Sequence, residues 1–230
     1  MQTDPACRLC LDGRAQPFYQ GRRSYYRCSK CCLIQVATDD FLPRQAEKAE
    51  YDLHQNNPTD AGYRKFLSRL FDPLHQRLGG RGRGLDFGSG PGPTLPLMFA
   101  EAGYEMAIYD VFYSDDPSCF LSRYDFITAT EVVEHLHQPG ETLGKLWNCL
   151  RPGGILGVMT KMALDREAFS RWHYKNDPTH VCFFSRNTFE WLADFLGAEC
   201  EFVGDDVVML RKCRRRNASQ SHSAEAATES

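Results

Sequence analysis

An α/β fold, with a doubly wound parallel sheet behind a small cysteine-rich N-terminal subdomain, is what this sequence predicts, and three observations carry the prediction. From Arg83 onward, short apolar runs alternate with amphipathic helical stretches, an order that builds parallel strands joined by right-handed crossovers. The first of those runs leads into a loop containing Gly88, Gly90 and Gly92. The third observation is the clustering of Cys7, Cys10, Cys28, Cys31 and Cys32 at the start of the chain, against the solitary Cys119, Cys149, Cys182, Cys200 and Cys213.

Composition agrees with a globular chain. At 230 residues, 42% hydrophobic and 25% charged, the sequence can bury a core and is not disordered, collagenous or fibrous. No stretch approaches the roughly 18 to 20 apolar residues that cross a bilayer. The opening MQTDPACRLC has no apolar run for a signal peptide, so a cytoplasmic location without a membrane partner is expected. A net charge of -3 argues against a surface that is wholly a polyanion footprint, while leaving room for local basic patches. In a reducing compartment, clustered cysteines are read first as metal ligands and scattered ones as small buried hydrophobes.

Taken in order, residues 1–40 form a cysteine knuckle and residues 41–82 a helical linker and lid. In the linker, Tyr63, Phe66, Leu67, Leu70, Phe71, Leu74 and Leu78 recur at spacings of three and four, with Asp60 as N-cap, Gly79-Gly80 as the stop and Pro73 as a kink. Residues 83–213 carry the sheet. GLDFG, YEMAIYD, YDFITATEV and GILGVMTKM read as successive strands, with helices in PTLPLMFAEAG, GETLGKLWNCL and SRNTFEWLADFLG. The last two strands, AECEFVG and VVMLRKC, are joined by a link short enough only for an antiparallel hairpin. Residues 214–230 lack apolar periodicity and are expected to be a disordered tail.

The segment LDFGSGPGPT is the most informative. A glycine-rich turn after the first strand sits at the C-terminal edge of a doubly wound sheet, where missing side chains let a nucleotide-like ligand approach the backbone. Its G-x-G-x-G spacing is neither the dinucleotide fingerprint nor a P-loop. The next strand ends at Asp110, where a carboxylate can accept hydrogen bonds from ribose hydroxyls.

With these residues the sequence resembles the class I S-adenosylmethionine-dependent methyltransferases. LDFGSGPG looks like their first motif and YDV at 109–111 like the acidic end of their second strand. TEVVEHL at 130–136 and LRPGGILGVMT at 150–160 look like the motifs around strands four and five. The resemblance, over about residues 63–213, implies a Rossmann-like seven-stranded methyltransferase sheet in the order 3-2-1-4-5-7-6 with strand seven antiparallel. It also implies that Asp86, Gly88, Gly90 and Gly92 cradle the methionine part of the donor, that Asp110 holds the ribose, and that Glu131 and Val132 flank the donor. Only 14 residues separate Asp110 from Asp125, so strand three is short or missing, and with it the usual adenine contact. Glu134 and His135 either orient the helix after strand four or act in catalysis.

Cys7-x-x-Cys10 and Cys28-x-x-Cys31 fit the two-knuckle zinc pattern, and four protein ligands make such a zinc structural. Cys32 is a spare that packs. The knuckle is basic, with Arg8, Arg14, Arg22, Arg23, Arg27 and Lys30 against Asp12, and Phe18, Tyr19, Tyr25 and Tyr26 interleave with those charges. That mixture suits either a solvated face over a thin core or a single-strand nucleic-acid platform. On the acceptor side, RWHYKNDPTHVCFFSRNTF offers His180, and behind it His173, as a neutral imidazole able to take a proton at neutral pH. Three functions follow: a methyltransferase acting on a small-molecule acceptor, an RNA methyltransferase that grips substrate through the knuckle, or a non-catalytic binding protein on the same fold.

Overall fold

The computed structural model describes residues 5–53 and 56–214, and the expected tail beyond 214 lies outside the described residues. Its central sheet has six strands: β4 (Arg83–Phe87), β5 (Glu105–Tyr109), β6 (Tyr124–Thr130), β7 (Leu150–Met159), β9 (Ala198–Val203) and β10 (Val207–Lys212). They lie in the order β5-β4-β6-β7-β10-β9. The β4–β5, β4–β6 and β6–β7 pairs are parallel, and β10 runs antiparallel to both β7 and β9. This is the expected order with its first member missing, so seven strands are corrected to six. Between Asp110 and Tyr124 the chain makes a tight turn closed by the Asp110–Ser114 bridge and a 3-10 turn over Pro117–Leu121. The segment is too short to cross a sheet face by a helix and return as a parallel strand.

Helices α2 (Ala61–Leu78), α3 (Thr94–Glu101), α4 (Pro139–Cys149) and α6 (Arg186–Leu196) cover the sheet. Helix α2 starts where Asp60 Oδ1 accepts the amides of Gly62 and Tyr63 at 2.7 and 3.1 Å, and stops at Gly79, whose φ of 73° is left-handed. It runs unbroken through Pro73 and buries Leu67, Leu70 and Leu74, each contributing about 2 kcal/mol of apolar burial. Those leucines pack with Phe99, Phe126 and Met159 on one side of the sheet. On the other side, α4 and α6 supply Leu143, Leu146, Phe189 and Leu192 to a second core.

A second sheet is antiparallel, in the order β1 (Ala15–Gln20), β2 (Ser24–Cys28), β3 (Ile34–Val36), β8 (Cys182–Phe183). Three strands come from the N-terminal knuckle and the fourth from far along the chain: Ile34 pairs with Phe183 and Gln35 with Cys182. The knuckle is seated equally closely on α4. Gly140 donates its amide to Arg8 O at 3.0 Å, and a Cβ there would fall 2.3 Å from Leu9 O, so only glycine admits the contact. Cys7, Leu9, Cys28, Cys31 and Leu33 accordingly belong to the same buried cluster as Leu143, Leu146 and Phe184. Of the scattered cysteines, Cys149 and Cys182 are buried, Cys119 and Cys200 are half-buried and Cys213 is exposed. No described helix is long and apolar enough to cross a membrane.

Candidate active site

A cavity of about 820 Å³ opens over the C-terminal ends of β4, β5 and β6, the edge at which open α/β sheets bind ligands. The β4–α3 loop forms one wall. Gly88 (φ 77°) and Gly90 (φ 64°) hold left-handed backbone there. A Cβ on Gly88 would meet Val132 Cγ2 at 2.4 Å, and one on Gly92 would meet Asn56 O at 2.0 Å. Asp86, Gly88, Gly90, Asp110, Glu131 and Val132 all line the cavity; Gly92 instead makes room for the backbone of Asn56, itself a lining residue.

Asp110 is braced on the same wall. Its Oδ2 accepts Gly90 N–H at 2.9 Å, and its Oδ1 accepts Phe112 N–H at 2.8 Å and Tyr113 N–H at 3.2 Å. The carboxylate thus fixes the glycine loop and the following turn, with lone pairs left for a ligand hydroxyl. Buried Asp86 accepts the Thr128 hydroxyl at 2.6 Å, and burial pushes its carboxyl up to about 7, with the nearby Asp110 charge adding to the rise. Ser89 Oγ and Thr130 Oγ1 line the cavity, are buried, and have no hydrogen-bond partner among the described residues. Buried hydroxyls of that kind call for an outside partner. Together with glycines that keep side chains out, they fit a nucleoside-type cofactor.

The opposite wall is polar. Tyr174 donates its hydroxyl proton to buried Glu134 and lies 3.2 Å from Glu131 Oε2. Thr160 donates to the other Glu134 oxygen at 3.0 Å. The Tyr174 hydroxyl thus faces the carboxyl groups of both Glu134 and Glu131. Burial, reinforced by the Glu134 charge, lifts Glu131 to about 7, and burial raises Glu134 as well. Glu131 also holds a non-glycine φ of 51° directly after β6, a strained conformation of the sort that collects at functional sites.

His180 is buried against this network. Its Nδ1 lies 2.7 Å from Tyr174 O, which can only accept, so Nδ1 carries the proton and Nε2 presents a lone pair, 3.7 Å from Asp177 Oδ2. Burial, followed by the neighbouring His135, lowers its pKa below 6.5, keeping the ring neutral at pH 7. His173 also lines the cavity but is exposed at its rim. Glu134, His135 and His180 place one ligand atom each within 4.8 Å of the others, although both Glu134 oxygens already hold hydroxyl donors. Sequence reasoning missed Tyr174 and Thr160 as partners of Glu134. It also missed Arg44, Glu47 and Tyr51, which helix α1 (Arg44–Tyr51) brings to the cavity mouth. The only available signal was the polar crowding between Trp172 and His180.

Away from the cavity the knuckle cysteines converge. The Sγ atoms of Cys7 and Cys31 are 3.4 Å apart, those of Cys10 and Cys28 are 3.7 Å apart, and all four lie within 4.8 Å of one another. A tetrahedral ion with sulfur ligands at about 2.3 Å needs roughly this spacing. Backbone amides of Gly13 and Lys30 point at Cys10 and Cys28 Sγ at 3.2 and 3.3 Å, and a Cβ on Gly13 would strike Cys28 Sγ at 2.5 Å. The hydrogen bond from Cys31 draws Cys7 down to about 5 while pushing Cys31 up. Cys32 stays half-buried, outside the group.

The comparisons with known proteins agree with this geometry. A family model described as Methyltransferase domain matches residues 59–201. The chain therefore belongs to this methyltransferase family. It is 28% identical over 123 residues to the ubiquinone biosynthesis O-methyltransferase of Aeromonas salmonicida, a match covering 47% of this chain and 52% of that protein. The chain thus spans about half the length of the curated relative it matches. Among solved structures, it is similar to a SAM-dependent methyltransferase from Archaeoglobus fulgidus (17% identity, TM-score 0.49, covering 65% of this chain and 94% of that one). It is also similar to the 1,6-didemethyltoxoflavin-N1-methyltransferase of Burkholderia thailandensis (16% identity, TM-score 0.45, covering 86% and 100%).

Proposed function

We propose that this protein transfers the methyl group of S-adenosylmethionine to a small-molecule acceptor held between the glycine-rich loop and His180. The observation that carries the reading is one continuous cavity lined on one side by Asp86, Gly88, Gly90 and Asp110 and on the other by Glu131, Tyr174 and His180. Bound there, the donor would supply an electrophilic methyl on a sulfonium, so that the protein's own task is alignment and proton removal. The backbone of the glycine loop would hold the methionine part, Asp110 the ribose, and Glu131 and Val132 the flank of the donor. His180 would accept the acceptor's proton at Nε2, oriented through Nδ1 by Tyr174 O. His173 is the second candidate, less well suited because its ring is exposed at the cavity rim. The relative named for O-methyl transfer in ubiquinone biosynthesis favours a small acceptor over RNA.

The four-cysteine cluster is read as a structural zinc site, with Cys7, Cys10, Cys28 and Cys31 closing the coordination sphere. Methyl transfer is tested with radiolabelled donor in lysate separated into small-molecule and RNA fractions. Label in the small-molecule fraction that requires both the glycine loop and His180 supports the reading. Label confined to RNA would replace it with the nucleic-acid alternative. Absence of binding to S-adenosylhomocysteine by calorimetry would leave a non-catalytic binding protein.

A further inference from the structure

The basic knuckle raises the question of what its arginines do, and Arg23 answers it by turning inward. Its Nη1 donates to Pro178 O at 3.0 Å and its Nη2 to Lys175 O at 2.6 Å and Asp177 O at 2.7 Å. One guanidinium thus gathers three carbonyls of the loop that ends at His180, more than 150 residues along the chain. Two further knuckle side chains hold the same loop. Tyr25 donates its hydroxyl to Lys175 O at 3.0 Å, and buried Arg8 donates to Val181 O at 2.9 Å and Val36 O at 3.0 Å.

The carbonyls chosen matter for the imidazole. Asp177 O, which accepts from Arg23, also accepts the backbone amide of His180 at 3.3 Å. Tyr174 O, which fixes the ring through Nδ1, belongs to the peptide immediately before Lys175. Both the backbone and the ring of His180 are therefore one step from a carbonyl held by Arg23. From inside the cavity wall the loop is met by Glu134 O, which accepts Val181 N–H at 2.8 Å, and by His135 Nδ1, 3.2 Å from Thr179 O. A cationic fork on several carbonyls is stronger and more directional than neutral pairs.

We infer that Arg23 is a positioning residue: through the carbonyls of Lys175, Asp177 and Pro178 it sets the loop that orients His180 toward the acceptor, so that the cysteine knuckle is the outer support of the acceptor site. The inference rests on the reading of His180 as the acceptor-side base only for its functional meaning; the clamp itself is tested without turnover.

The full chain is labelled at histidine carbon, and the His180 signal is assigned by its loss in His180→Asn. The ring faces His135, Glu134, Asp177, Tyr174 and Phe183, and none of these residues is replaced in any Arg23 or Arg27 variant. In Arg23→Gln the His180 titration midpoint is expected to rise toward 6.5 by about half a unit as the ring gains water. Amide exchange over 175–181 should quicken by about tenfold, while affinity for S-adenosylhomocysteine stays within about twofold. Arg23→Lys, which keeps the charge but loses the fork, should fall between. Arg27→Gln, exposed in β2 four residues further along, should match the parent. An unchanged midpoint and unchanged exchange in Arg23→Gln would overturn the clamp. So would an equal change in Arg27→Gln, which would mark general loosening. If Arg23→Gln does not fold, Arg23→Lys decides, and parent-like behaviour of that variant overturns the inference. Undiminished methyl transfer by His180→Asn would instead remove the base assignment and leave the clamp standing.

Discussion

The two walls of the cavity, the proposed donor wall at the glycine loop and the proposed acceptor wall at His180, are assembled in opposite ways. The donor wall comes from one uninterrupted run, Asp86 to Gly92, with Asp110 reaching back to it from the end of the neighbouring strand. The acceptor wall needs Arg8 and Arg23 from the knuckle, Glu134 after β6, Thr160 after β7, and the loop from Tyr174 to Val181. Backbone conformation and close approach set the first, so it is compact in sequence and intolerant of added atoms. Side-chain hydrogen bonds between distant segments set the second, so it depends on how the knuckle docks. The two walls should therefore fail independently, and variants can test that separation.

The largest effect is expected on the donor side. Gly88→Val puts a branched side chain where even a Cβ would lie 2.4 Å from Val132, on backbone of left-handed φ. Affinity for S-adenosylhomocysteine, measured by calorimetry, should fall by about a hundredfold or more, roughly 2.7 kcal/mol. Amide exchange over 175–181 should remain as in the parent. Retained affinity would detach the cofactor reading from the glycine loop.

The reciprocal experiment is made at the cysteines. Purified protein prepared without chelator should carry about one zinc per chain, and Cys28→Ser should carry close to none by elemental analysis. Loss of the ion should loosen β2, β3 and, through the pairing of Gln35 with Cys182, the strand next to His180. Exchange should therefore quicken over 181–184 while binding of S-adenosylhomocysteine persists. If donor affinity collapsed along with the metal, the two walls would not be separable in the way their construction implies.

That contrast also explains how much the sequence disclosed. Local rules were enough for the helix between Asp60 and Gly79, for the succession of strands with their terminal hairpin and for the glycine loop, because capping, periodicity and turn chemistry are read within a few residues, whereas the order of the strands across the sheet came from the family resemblance. The short interval after Asp110 foretold the weak third strand, and the structure removes that strand from the sheet. Arg23 was legible only as a charge. Nothing near it in sequence distinguishes a phosphate contact from a clamp on Lys175, Asp177 and Pro178. Tyr174 likewise read as one polar residue among several, since its partner Glu134 lies 40 positions away.

A smaller effect concerns Asp86, at the end of β4 on the glycine-loop wall. Its folded pKa of about 7 lies above the ordinary 3.8. Between those values the folded state holds a proton that the unfolded state has released, so this group's contribution to stability declines as pH rises from about 4 to 7. Asp86→Asn keeps an oxygen to accept the Thr128 hydroxyl and has no charge to bury. Its thermal midpoint relative to the parent should be higher at pH 8 than at pH 5, by roughly 5–10 °C. A difference independent of pH would mean that Asp86 is ionised in the folded protein throughout that range.

The smallest effect is expected on the outer face of the knuckle. With Arg23 committed to the loop carbonyls, Arg14, Arg22 and Arg27 are the exposed arginines of that region, and the Arg27 guanidinium lies 5.8 Å from the centre of the Phe18 ring. If this face is solvated, replacing all three by alanine should shift the thermal midpoint by no more than about 2 °C. Affinity for a mixed-sequence single-stranded RNA oligonucleotide should stay weak and unchanged. If the face grips RNA, each arginine would neutralise one phosphate. The logarithmic salt dependence of binding would then flatten in the triple variant by about 2, at roughly 0.7 per contact. A flattening of that size would make the knuckle a substrate-binding surface outside and a support for the acceptor loop inside. Its absence would leave the inward role alone, the outcome expected from an arginine whose hydrogen bonds are already spent on the acceptor loop.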